Sequence, residues 1–243
     1  KSVAVISIAA AVHVGILVLE KDLGAALIYF VTYLMMLYVA TMKLRYLAAG
    51  AFAGTAASVV AYQLFAHVRV RVAAWQDPWS NMNQGGYQIC QSLFAIGTGG
   101  LFGMGLGQGM PKSVPVVESD FIFSAIAEEM GVIFCIFLIL IYISSFIMFV
   151  NIALKMKKNF YKLCAFGLSV VLIFQVFLSI GGVTKFIPST GVTLPLISYG
   201  GSSIITTIVI FSIIQGMYVR NRREEVTTNE EQAAINRKSG KRQ

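Results

Sequence analysis

The stretch PVVESDFIFSAIAEEMG, residues 115–131, sets four acids around the start of an apolar run. Glu118 and Asp120 lie in a polar loop, and Glu128 and Glu129 come later, inside the run. A carboxylate at membrane depth is costly and marks function by default. Glu118 and Asp120, beside basic residues, are the types needed for a general base with a partner, or for cation ligands. Asp120 also stands where an N-cap or first-turn acid would favour the helix dipole, a reading that leaves Glu118 unexplained. Glu128 and Glu129 either line a cavity or relay protons, or one of them is satisfied structurally by a second polar loop.

The complementary charges are Arg69 and Arg71, with Lys112 and Lys185. Arginine grips phosphate with a planar fork, so a clamp on a phosphorylated substrate is one reading. Anchoring to lipid phosphate at the membrane interface is the other. The second polar loop, residues 188–203 (PSTGVTLPLISYGGSS), is dense in hydroxyls, Gly and Pro. It reads as an ordered re-entrant turn whose Gly-Gly-Ser-Ser end opens a helix, a place for an anion or a hydroxyl; a capped helix start explains only that end. The Gly-rich run 97–109 (GTGGLFGMGLGQG) lacks the preceding strand and βαβ unit of a dinucleotide fingerprint. Close backbone packing or a flexible loop beside a substrate fits it better.

These residues need a scaffold, and composition says which kind. The 243-residue chain is 57% hydrophobic and only 12% charged, with a mean hydropathy of +0.75. Soluble domains carry about 25% charge, so this is an integral membrane protein. The net charge of +8 sits in short loops and the tail, which points to membrane topology and away from nucleic acid. Cys90, Cys135 and Cys164 are scattered among apolar residues with neither metal nor disulfide spacing.

A spanning helix needs about 20 apolar residues. Six segments are expected to span: Val3–Leu19, Leu23–Met42, Tyr46–Ala66, Phe121–Val150, Leu163–Val183 and Ser202–Val219. The first is short, and the chain starts without Met inside an apolar run, so a truncated start is expected. The Glu-bearing start of the fourth is expected to lie in a water-accessible cavity. Residues 67–83 read as a polar loop whose Trp75 and Trp79 suit an interface. The run 89–106 is too interrupted to cross and reads as a re-entrant or half-buried helix breaking at 97–100.

With the first loop outside, Lys43, Arg45, Lys155, Lys157, Lys158, Lys162 and the basic tail gather inside. Lys21, Arg69, Arg71, Lys112 and Lys185 stay outside. Both ends are then cytoplasmic, and the loops 67–120 and 184–201 extracytoplasmic. The expected architecture is an all-α polytopic domain over 1–219, with a disordered cytoplasmic tail over 220–243.

Five ordered stretches carry a resemblance: KDLGAAL (21–27), RVRVAAWQDPW (69–79), GYQICQSLFAIGTGGLFGMGLGQG (86–109), SDFIFSAIAEEMG (119–131) and IPSTGVTLPLISYGGSS (187–203). Together they resemble the FtsW/RodA/SpoVE (SEDS) proteins of bacterial elongation, division and sporulation, up to about residue 220. Members cross the membrane about ten times, so the resemblance implies the C-terminal six spans here. It further implies a peptidoglycan glycosyltransferase of the bacterial plasma membrane. Such an enzyme polymerises lipid II on the outer leaflet beside a class B penicillin-binding protein. The essential Asp of the family's DFIF motif falls on Asp120. The residues expected to meet substrate are then Arg69, Arg71, Gln88, Lys112, Glu118, Lys185, Ser198, Tyr199 and Ser202.

The match has departures. Members often carry Pro-Glu-x-His-Thr-Asp where this chain has Pro-Val-Val-Glu-Ser-Asp at 115–120, so the Asp alone carries over. Some division members place Lys where Thr190 stands, and no cationic role carries over there. No cofactor is demanded by the sequence; a divalent cation (Mg or Mn) is one way to neutralise the leaving pyrophosphate, and the basic side chains are the other. Two readings from other classes stay open. A lipid II transporter (flippase) would depend on Glu128 or Glu129, and a non-catalytic scaffold for the penicillin-binding protein would depend on no outer carboxylate.

Overall fold

The computed structural model describes residues 2–240, without the side chains of Ser2, Gln84 and 228–240. The described residues form an all-helical bundle without strands: α1 (Ser2–Leu19), α2 (Leu23–Thr41), α3 (Leu44–Leu64), α4 (Ala66–Gln76), α5 (Gly86–Gly99), α6 (Ile122–Lys155), α7 (Asn159–Val183) and α8 (Gly201–Gly240). Five are long and apolar enough to cross a membrane: α2, α3, α6, α7 and the Gly201–Thr227 part of α8. The apolar part of α1, Val3–Leu19, is shorter, in keeping with its sequence. The 14-residue α5 is too short to cross a core about 30 Å thick.

Two features depart from the sequence reading. Residues 66–76 are helical and not a loop; the helix α4 is divided from α3 by one extended residue, Phe65 (φ −104°, ψ 113°). Helix α8 runs on to Gly240, where a disordered tail was expected from residue 220. Pairs one turn apart favour the longer helix: Arg220 Nε donates to Glu224 at 3.2 Å and Asn221 Nδ2 to Glu225 at 3.1 Å.

Helices α6 and α7 form the centre, with α5 against α6, α2 against α7 and α8 against both. One buried cluster gathers Val117, Phe121, Phe123, Leu138, Tyr142, Val176 and Leu194 at the end bearing the long loops. A second holds Phe149, Met156, Leu172, Ile214 and Met217 at the other end.

Helix α6 is broken at Gly131 (φ 83°, ψ 171°). The Gly-rich segment after α5 lies across the break and restores the lost backbone bonds. Val132 N–H donates to Gly100 O at 2.9 Å and Ile133 N–H to Leu101 O at 3.2 Å. Met104 N–H donates to Glu128 O at 2.9 Å and Gly105 N–H to Glu129 O at 3.0 Å. Irregular backbone at membrane depth survives only with such cover. The approach is close because Gly103 (φ 80°) has no side chain; a Cβ there would overlap the Glu129 carbonyl. Gly103→Val is therefore expected to destabilise the protein by about 3 kcal/mol, from overpacking plus strain at positive φ. Gly97→Ala, which meets open space within a helix, should stabilise by about 0.5–1 kcal/mol. Thermal unfolding of the two variants in detergent checks the contrast.

This clasp also settles where the helix acids lie. Glu128 is 6% exposed, beneath the Gly-rich segment and not in an open cavity. Its Oε1 accepts the Met110 N–H at 3.1 Å, so its partner is the Gly-rich segment and not the second polar loop. Glu129 is half-buried.

Candidate active-site cleft

Asp120 is placed by the aromatic residues next to it in the chain. Phe121 and Phe123 are buried and pin the chain at the mouth of α6. The N-cap of α6 is Phe121, and no side chain caps the helix. The Asp120 carboxylate is thus not spent on capping and faces a cleft of about 120 Å³. The cleft is lined by Arg71 and Ala74 of α4, Gly85, Gln88 and Ile89 at the start of α5, Val116, Asp120 and Phe121, and Ser189 and Gly191 of the second polar loop.

The second loop is fastened to the Asp120 loop by backbone bonds. Tyr199 N–H donates to Glu118 O at 2.7 Å. The buried Ser198 hydroxyl donates to Ser119 O at 2.5 Å and accepts the Leu194 N–H at 2.7 Å. Tyr142 of α6 donates to Pro195 O at 2.6 Å. Gln175 of α7 donates to Thr193 O at 3.0 Å and to the Ser203 hydroxyl at 3.3 Å. Helix α2 closes in on the far side, where a Cβ on Gly24 would lie 2.5 Å from the Val192 side chain. Ser198→Ala would leave a buried N–H and a carbonyl short of a partner, at a cost of roughly 1–3 kcal/mol. The expected result is a lower unfolding temperature; Ser198→Thr, which keeps the hydroxyl, should recover part of it.

Within the cleft a cation and an anion converge on a glycine. A Cβ on Gly191 (φ 74°) would sit 3.6 Å from Asp120 Oδ2 and 4.0 Å from Arg71 Nη2. Arg71 Nη1 also reaches Ser189 O at 3.5 Å. Burial pushes the Asp120 carboxyl above the ordinary aspartate range; the Ser119 hydroxyl and the Arg71 charge pull it back only in part. A carboxylate lifted in this way, with a guanidinium nearby, has the properties of a candidate general base.

Of the residues singled out in the sequence, the structure brings Arg71, Gln88 and Asp120 to one cleft. Arg69 is turned away and donates to Gln63 O at 2.6 Å, closing the C-terminal end of α3. Lys112 and Glu118 are exposed outside the cleft lining. Lys185 offers its carbonyl to Trp75 Nε1 at 3.0 Å. Its charge adds slightly to the lowering of Asp77, which the Ser80 hydroxyl and N–H dominate. Ser198 is consumed by the loop, Tyr199 is 79% exposed, and Ser202 is exposed at the start of α8. Ser203 turns to Thr193 and Gln175, so the Gly-Gly-Ser-Ser end is no part of the cleft lining.

Gln175 escaped the sequence reading, although a lone Gln in the middle of an apolar span is a visible signal. Ser189 and Gly191 lay inside the polar loop without being distinguished from their neighbours. No three of the described His, Cys, Asp and Glu residues come together as metal ligands, and Asp120 is the acid in the cleft lining. Among the described residues, Asp120 is thus the one carboxylate that the cleft lining offers to a cation.

The family profile of FtsW/RodA/SpoVE, described as "Cell cycle protein", matches residues 1–223. The chain is 42% identical over 203 residues to the peptidoglycan glycosyltransferase RodA of Mycobacterium tuberculosis (strain ATCC 25618 / H37Rv), covering 84% of this chain and 43% of that protein. It is 34% identical over 220 residues to the probable peptidoglycan glycosyltransferase FtsW of Geobacter sp. (strain M18), covering 87% and 58%. The chain thus spans about half the length of the curated relatives it matches. Among solved structures, a chain described under "Structural coordination of polymerization and crosslinking by a peptidoglycan synthase complex" is similar. Its TM-score is 0.73 and its identity 27%, covering 88% of this chain and 61% of that one.

Proposed function

The chain belongs to the FtsW/RodA/SpoVE family, and from that premise we propose that its parent protein is a peptidoglycan glycosyltransferase whose base is Asp120. The observation that carries this reading is the half-buried Asp120 carboxylate beside Arg71, in a cleft between the two polar loops. The relatives named glycosyltransferases support the reaction class. The likeness to a chain of a peptidoglycan synthase complex supports a penicillin-binding protein of class B as partner. The substrate would be lipid II, and the cleft would face the outside of the bacterial plasma membrane, with the basic end in the cytoplasm.

In the proposed step the acceptor sugar's 4-hydroxyl gives its proton to Asp120 as its oxygen attacks the donor's anomeric carbon. The bond from that carbon to the pyrophosphate oxygen breaks, and the electron pair leaves with undecaprenyl pyrophosphate. One displacement inverts the anomeric centre. Arg71 would meet the negative charge growing on the leaving group, a role worth most in a cleft that excludes water. Gln88 and the Ser189–Gly191 backbone would hold sugar hydroxyls.

The test is polymerisation of labelled lipid II by the full-length parent protein with its penicillin-binding partner, the transpeptidase blocked. Glycan strands are expected. Movement of lipid II across vesicles without a new glycosidic bond would replace the proposal by a transporter, and neither activity from folded protein would replace it by a scaffold.

A further inference from the structure

At the opposite end of the bundle from the cleft, the turn between α6 and α7 meets α8 in a second concavity. Its floor is apolar: Met156 and Met217 are 7% and 9% exposed. Its rim carries three cations and one acid, Lys157, Lys158, Arg220 and Glu224, around a shallow recess of about 10 Å³. Arg220 is held in place, with its guanidinium 4.8 Å above the Tyr161 ring, Nη1 donating to Tyr161 Oη at 2.6 Å and Nε to Glu224 at 3.2 Å. Asn221 fastens this part of α8 to the end of α6 through Lys155 O at 3.3 Å. The two lysines are exposed.

The first turn of α7 carries no acid, and no side chain caps it, so its N–H groups add to the positive potential. Leu154, 62% exposed, and Phe160, 73% exposed, flank the basic turn. A cationic rim over an apolar floor, at the end of spanning helices and beside exposed apolar side chains, matches a molecule with a phosphate head and hydrocarbon chains. Basic pockets between transmembrane helices take anionic headgroups in this way.

We infer that this concavity is a site for an anionic phospholipid, its phosphate held by Lys157, Lys158 and Arg220 and its chains running beside Leu154 and Phe160. The inference rests on the chain's spanning a membrane and not on its reaction.

The test uses the full-length parent protein in mixed vesicles, extracted gently and weighed with its retained lipids by native mass spectrometry. Phosphatidylglycerol competes there with phosphatidylcholine. The wild type is expected to retain phosphatidylglycerol preferentially. Each lysine near an anionic surface is worth about five-fold, so Lys157→Gln with Lys158→Gln should lower the preference roughly thirty-fold. Both side chains are exposed, and an unchanged unfolding temperature confirms an intact fold. Equal retention of the two lipids by the wild type would overturn the inference, as would an unchanged preference in the double variant. Displacement of the lipid by millimolar inorganic phosphate would overturn it in favour of a soluble phosphate. Binding of an acidic peptide with no lipid preference would overturn it in favour of a protein partner. Glycan synthesis enters none of these readouts, so the lipid site and the proposed reaction fail independently.

Discussion

Asp120→Asn in the full-length parent protein is expected to lower lipid II polymerisation about a thousand-fold, the middle of the range for loss of a positioned base. The replacement keeps shape and polarity. It disturbs none of the bonds that join the two loops, which run through the backbone of Glu118 and Ser119 and through Ser198. The unfolding temperature should therefore stay near that of the wild type, separating lost chemistry from lost fold. Polymer at the wild-type rate would remove Asp120 from the reaction. The wild-type pH profile carries the same assignment. The base works deprotonated, so rate rises as pH climbs through the Asp120 pKa and falls away below it. Burial raises that pKa, so the acid limb should sit above the range of an ordinary aspartate.

Arg71→Gln is expected to do two things at once. In the proposed reaction, loss of the charge assigned to the leaving pyrophosphate should cost about a hundred-fold in kcat. Arg71 also holds the Asp120 pKa down. Without it the pKa rises further, and the acid limb should move to higher pH. Arg71→Lys should restore the limb more fully than the rate, since a point charge replaces the fork. Arg69→Gln is the control: Arg69 closes the end of α3, so the limb should stay in place. An Arg71→Gln enzyme with an unmoved limb would separate Arg71 from Asp120.

That contrast shows where the sequence was legible and where it was not. Long apolar runs marked the spans, and an acid heading an apolar helix singled out Asp120, which lines the cleft. Arg69 and Arg71 were read as a pair because 67–83 was read as a loop. On helix α4, residues two apart point roughly 200° apart, so one turns to α3 and the other to the cleft. The alternating Val-Arg-Val-Arg pattern concealed that helix. The break at Gly131 was hidden for a different reason. Hydropathy averages over side chains, whereas the break is a backbone event whose cover comes from residues about thirty positions earlier. Ser198 looked like a substrate contact because a hydroxyl in a polar loop does not reveal which backbone groups it will meet.

The clasp over Gly131 has a consequence for biosynthesis. The covering segment, residues 100–105, is translated before the helix it covers. When the broken turns of α6 enter the bilayer, the backbone groups that will satisfy them have already emerged. A chain with the opposite order would leave bare carbonyls and amides in hydrocarbon while awaiting a later loop, at several kcal/mol for each group. The order of segments along the chain thus protects the insertion step as well as the finished structure.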